Sequence, residues 1–114
     1  MNDARHLSIS IARDPAAIYD YVCNPANLPH WAAGLSGALG DVDVEFTPRN
    51  DLGVLDHVVT LPDGQRVFNP LRVLPNGDGS EVVFTLFALE GVDVESDAAA
   101  VSRDLATLKR LLEK

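Results

Sequence analysis

Positive charge is scarce in this chain. Nine Lys and Arg stand against seventeen Asp and Glu, a net charge of −8 over 114 residues, and only two lysines occur, Lys109 and Lys114. A nucleic-acid groove or an anionic membrane surface draws its partner with clustered Lys and Arg. No such cluster is written here, so neither nucleic acid nor membrane is expected as a partner. Cysteine is nearly absent too. Cys23 stands alone, which excludes an internal disulfide, and no Cys/His group has zinc spacing. No metal and no cofactor are expected. Apolar runs stay far below the roughly eighteen residues of a membrane span. The opening MNDARHLSIS lacks the apolar core of a signal peptide. A cytoplasmic location is the expectation that follows.

What is present is ordinary globular composition, 46% hydrophobic and 23% charged. At this length, residues 1–114 read as a single domain. Leu7, Ile9 and Ile11 alternate with Ser8, Ser10 and Ala12, the period of a half-buried strand. Asp14-Pro15 then gives an N-cap with proline at the first helical position. A short helix over Pro15–Cys23 follows, with Ile18, Tyr21 and Val22 as its apolar face, Tyr21 in the core and Tyr19 partly exposed. Asn24-Pro25 repeats the signal, and Pro29 keeps the second helix short. The glycine-rich stretch Ala32–Gly40 carries no element. Val42–Thr47 alternates as a strand whose wet face holds Asp41, Asp43 and Glu45.

Val54–Leu61 reads as the next strand, and PDGQ is a hairpin turn with the Asp-Gly signal. Arg66–Leu74 is a strand interrupted by Pro70, which marks an edge, a bulge or a gap in the ladder. PNGDGS turns the chain into the strongly apolar strand Glu81–Leu89. From about Glu95 to Leu112, the residues Ala98, Val101, Leu105, Leu108 and Leu112 recur at helical spacing. The order predicts an α+β fold. Antiparallel strands leave one face to be covered, and only the terminal helix is long enough to cover it.

This order resembles the helix-grip fold of the START-like (SRPBCC) superfamily. That superfamily includes polyketide cyclases and dehydrases, pollen-allergen lipid carriers and Hsp90-ATPase activators. ISIARDPAAIYDYVCNPANLPHW is similar to its opening of a strand, a P-x-x-[IV]-[WY]-x-[YF] helix and an [ND]-P-x-x-[LY]-P-x-W segment. GVLDHVVTLPDG, NPLRVLPNGDGSEVVFTLF and DLATLKRLLEK resemble one bacterial branch, which brings no assigned reaction with it. The resemblance implies a curved antiparallel sheet gripping a long C-terminal helix. The usual sheet has seven strands. Here AAGLSGALGDVDV is too short for the usual two-stranded arm, so five to six strands are expected, with two short helices after the first.

Strand alternation proposes which residues face the helix. Pairing Pro75 with Ser80 sets Val73 opposite Val82, Leu71 opposite Phe84 and Asn69 opposite Leu86 on the concave face. Leu55, His57 and Val59 share that face, while Asp56 and Arg72 point out as an exposed pair. His57 and Asn69 are then two polar groups in an apolar concavity, the pattern of a ligand site. They either bond each other or a water, or they receive a ligand. The proposed lining adds Trp31, Leu55, Leu71, Phe84 and Leu86 to them, with Val101, Leu105 and Leu108 from the helix. His57 is the one weak catalytic candidate, as a base. Trp31 reads most simply as a core anchor with its indole N–H on backbone. Cys23 reads as a small buried hydrophobe without a cationic neighbour, and His30 as a surface residue.

The function implied is binding of a small hydrophobic, lipid-like molecule between sheet and helix. A cyclase- or dehydratase-like enzyme using the same pocket, or a protein-interaction module, are the alternatives. The shortened sheet leaves the strand Val42–Thr47 without one usual neighbour. Either Asp41, Asp43 and Glu45 guard that edge on a monomer, or a homodimer buries the exposed apolar face; the small size and generous apolar content favour the homodimer.

Overall fold

A computed structural model describes residues 1–32, 42–91 and 93–114. The expectations for the glycine-rich segment and for Asp41 lie outside the described residues. The elements run β1 (Ala4–Ile11), α1 (Pro15–Val22), a 3-10 turn (Pro25–Asn27), α2 (Leu28–Trp31), β2 (Asp43–Phe46), β3 (His57–Thr60), β4 (Arg66–Asn69), β5 (Leu71–Asn76), β6 (Gly79–Phe87) and α3 (Val94–Leu112). The fold is α+β, with six described strands.

Those strands form two antiparallel ladders, β1-β6-β5 and β2-β3-β4, rather than one uninterrupted sheet. Pro70 is the reason. It has no N–H to give the ladder, and it splits what the alternation presents as one strand into β4 and β5. Backbone bonds still stitch the halves together. Thr85 N–H donates to the Pro70 carbonyl at 3.0 Å, Leu55 N–H to Leu71 at 2.8 Å, and Val73 N–H to Gly53 at 3.0 Å. The expected pairs Pro75 with Ser80, Val73 with Val82 and Leu71 with Phe84 are present. Asn69 belongs to the other ladder and lies opposite His57. β3 is shorter than Val54–Leu61, because Val54 makes only an isolated bridge to Arg72 and the ladder with β4 begins at His57.

One buried cluster joins Ile11, Ile18, Val22, Val73, Val82 and Leu108. Asp93 caps the start of α3, its side chain accepting the Glu95 N–H at 3.1 Å. It buries Ala98, Leu105, Leu108 and Leu112, with Val101 half-buried beside them. Among the described residues this helix lies mainly along β1, with α2 and β6 also in contact. It therefore covers the β1–β6 side of the sheet more closely than the β2–β4 side.

Two helix expectations are corrected. In α1 the buried residues are Ile18, Tyr19 and Val22, while Tyr21 is half-buried. Tyr19 is drawn in because its hydroxyl accepts the Asn50 backbone N–H at 2.9 Å from the loop after β2. Asp14 stands at the N-cap position but makes no side-chain capping bond; Asn24 does cap, accepting the Ala26 N–H at 3.1 Å.

Candidate functional site

The polar centre of the buried face is built around an irregularity in the ladder. Extending the pairing of His57 with Asn69 sets Leu55 opposite Leu71. An unbroken antiparallel pair would exchange two backbone bonds there. One is made, Leu55 N–H to the Leu71 carbonyl. The other is replaced on both sides by side chains. Leu71 N–H donates to Asp56 Oδ1 at 2.9 Å, and the freed Leu55 carbonyl takes His57 Nδ1 at 3.0 Å.

Those bonds fix two side chains. Asp56 also receives both arms of Arg72, Nε on Oδ1 at 2.9 Å and Nη2 on Oδ2 at 2.7 Å. The expectation of an exposed Asp56–Arg72 pair is thus half right. The pair exists, but Asp56 is buried and only Arg72 is exposed, because the carboxylate is also a backbone partner. The Arg72 guanidinium holds the Asp56 carboxyl below its ordinary value; burial opposes this, and the Leu71 N–H and nearby His57 add to the lowering.

His57 is 4% exposed and Asn69 9%. A carbonyl only accepts, so Nδ1 carries the proton of the neutral imidazole and Nε2 is left with a lone pair. Burial pushes the His57 pKa below the usual histidine value, offset only in part by the Leu55 carbonyl and the Asp56 charge. The ring lies 5.1 Å from Phe46, its cross-strand partner, and 6.3 Å from Phe84, which it meets edge-on. Among the described residues His57 makes no side-chain bond beyond Leu55, and Asn69 makes none.

The remaining proposed lining residues fall as follows. Trp31, Leu55, Leu71, Phe84 and Leu86 are buried in the main cluster, as are Leu105 and Leu108 of α3; Val101 packs half-buried against it. Trp31 is a core anchor, but among the described residues its indole N–H has no hydrogen-bond partner, where a backbone bond was expected. Phe46 was not proposed, although it shares the alternation of β2 and its register with His57 would have placed it.

A second concavity had no sequence signal. A surface groove of about 410 Å3 runs between α1 and the loop 49–53, lined by Tyr19, Asp20, Arg49, Leu52, Gly53 and Val73 among others. Arg49 pairs with Asp20, its guanidinium sits 5.2 Å above the Tyr19 ring, and its Nη1 lies 3.5 Å from Cys23 Sγ. Cys23 is therefore half-buried and beside a cation, which corrects the expectation for it. His30 is exposed.

No protein-family model and no curated protein matches the chain. Solved structures do. DynU16, from the dynemicin biosynthetic locus, superposes with a TM-score of 0.75 at 14% identity, over 100% of this chain and 48% of its own. The Aha1 dimer from Colwellia psychrerythraea gives 0.73 at 19%, over 97% and 96%. Mll3558 from Rhizobium loti gives 0.69 at 14%, over 96% of each. The chain shares their helix-grip-like fold. At these identities the likeness concerns the fold alone. Among the described residues no helix is long and apolar enough to cross a membrane.

Proposed function

We propose that this protein is a START-like (SRPBCC) domain that binds a small hydrophobic molecule between the sheet and α3. The observation that carries the reading is the juxtaposition of His57 and Asn69, two polar residues set opposite each other on a buried apolar face. Once a ligand covers such groups, failing to bond them costs roughly 1–3 kcal/mol each. A ligand reaching that face would supply partners, and the surrounding Phe46 and Phe84 would bury its apolar body. The indole N–H of Trp31, a residue 5% exposed, has no partner among the described residues and is a further donor in the same cluster. The neutral dye Nile red tests the reading. One saturable site per chain is expected, with loss of the site in His57→Trp, which sets a larger ring on that face. Absence of saturable binding by the folded wild type overturns it.

A cyclase- or dehydratase-like reaction is the second reading, favoured by the free Nε2 of a neutral imidazole, which can take a proton. Self-association is part of the same proposal. β2 ends its ladder among the described strands, and Phe68 is 52% exposed on β4. Light scattering at twice the 12.3 kDa chain mass is the expected result, and a monomer at high micromolar concentration counts against it.

A further inference from the structure

We propose that the ligand of this site is uncharged and presents a hydroxyl, or a comparable O–H or N–H donor, to Nε2 of His57, and that carboxylates are refused. The inference rests on the ligand-binding reading above and adds the polarity of what is bound.

The donor requirement follows from the wiring of the imidazole. The Leu55 carbonyl consumes the one proton of the neutral ring at Nδ1, so Nε2 is an acceptor only. The rings beside it, Phe46 and Phe84, carry no donor, and a ligand that covers Nε2 on this 4%-exposed residue must bring a donor itself or leave the lone pair unmatched. A ligand that brings only acceptors would set lone pair against lone pair.

The charge requirement follows from where every cation of the chain lies. Of its nine Lys and Arg, eight are exposed: Arg5, Arg13, Arg49, Arg66, Arg72, Arg103, Arg110 and Lys114. The ninth, Lys109, is half-buried, with Nζ 2.7 Å from both the Ser10 carbonyl and Glu113. The residues outside the description, 33–41 and 92, include no Lys, Arg or His. No Lys or Arg is left to neutralise an anion on the buried face, and His57 would have to take up a proton against the cost of its burial to do so, so a carboxylate there is disfavoured. The nearest carboxylate, Asp56, already holds Arg72 and Leu71.

Three probes that share one ring system separate the terms: 2-naphthol, 2-methoxynaphthalene and 2-naphthoate, titrated by calorimetry at pH 7.5. 2-Naphthol should bind at least about tenfold more tightly than its methyl ether, which has lost only the donor, and 2-naphthoate should bind more weakly than 2-naphthol by a similar or larger factor. In His57→Phe the naphthol and the ether should converge. Should that variant fail to fold, nitrogen-15 NMR of the wild type gives the same answer. 2-Naphthol should move the Nε2 signal while Nδ1 stays protonated. If the ether or the naphthoate binds as tightly as the naphthol, the polarity inference falls and the binding reading stands. If none of the three binds, both fall.

Discussion

Asp56 accepts the backbone N–H of Leu71 at 2.9 Å, standing where a strand carbonyl would stand in an unbroken ladder. A side chain thus repairs the sheet next to Pro70, and the same carboxylate anchors Arg72. Asp56→Ala removes a charge-assisted acceptor from a buried N–H and strands the guanidinium. A loss of about 2–3 kcal/mol is expected in chemical denaturation. Arg72→Ala should cost less, because Arg72 is exposed and water can solvate what is left. The folded-state pKa of Asp56 lies below its unfolded value, so its contribution is complete above about pH 4 and is lost as pH falls further. Equal losses in the two variants would show that the N–H of Leu71 does not depend on Asp56.

Gly53 is the other half of the repair. Its φ is +72°, and a Cβ there would lie 2.2 Å from the Val73 carbonyl oxygen, a backbone atom with little room to move. Gly53→Ala combines the left-handed penalty with that clash, and a cost above about 2 kcal/mol is expected. Gly64 is the control. Its φ is +90° with open space around the Cβ position, so Gly64→Ala should cost only about 1 kcal/mol. Thermal unfolding of the two variants side by side checks the order, and a cheaper change at Gly53 would contradict the geometry.

This pair of residues also marks how far the sequence could be read. Alternation alone paired Leu71 with Phe84 and put Leu55, His57 and Val59 on the buried face, because a one-residue slip would have turned every apolar side chain to water. Helical spacing marked Leu105 and Leu108 as core in the same way. What stayed illegible is what depends on distant partners. A two-turn helix offers too few residues to decide between Tyr19 and Tyr21, and Asn50, thirty-one positions away, decides it. Arg49 reaches Cys23 over twenty-six positions with no local trace. The exchange of a backbone carbonyl for the Asp56 side chain is likewise invisible to a pattern that counts polarity, since Asp56 reads as an ordinary outward-facing acid.

His57 makes a prediction of its own in pH. Burial lowers its folded-state pKa, so the unfolded chain binds its proton first as pH falls. The neutral ring's contribution is full above the unfolded value of about 6.5 and is lost progressively below it. Wild-type stability should therefore decline on acidification from about pH 6.5. His57→Leu should be less stable at pH 7.5, having lost the bond to Leu55, yet should show a shallower decline. Parallel curves for the two proteins would place the titration elsewhere.

Asp104 works in the opposite direction. It is half-buried on α3, and burial raises its carboxyl from 3.8 to about 6, with Arg103 opposing. A raised acid pKa means that the folded protein holds the proton longer than the unfolded chain. Stability is then drawn down as pH rises from about 4 to about 6, and the full penalty is present at neutral pH. Asp104→Asn keeps the shape and removes the charge. It should stabilise the protein at pH 7 by on the order of 1 kcal/mol, well under the full value of the shift because water still reaches part of the side chain. At pH 3.5 the carboxyl is protonated in the folded state and largely so in the unfolded one, so the variant and the wild type should be nearly equal there. Denaturation midpoints at the two pH values separate this from a packing effect of the amide, which would be the same at both. A gain that persists undiminished at pH 3.5 would refute the electrostatic origin.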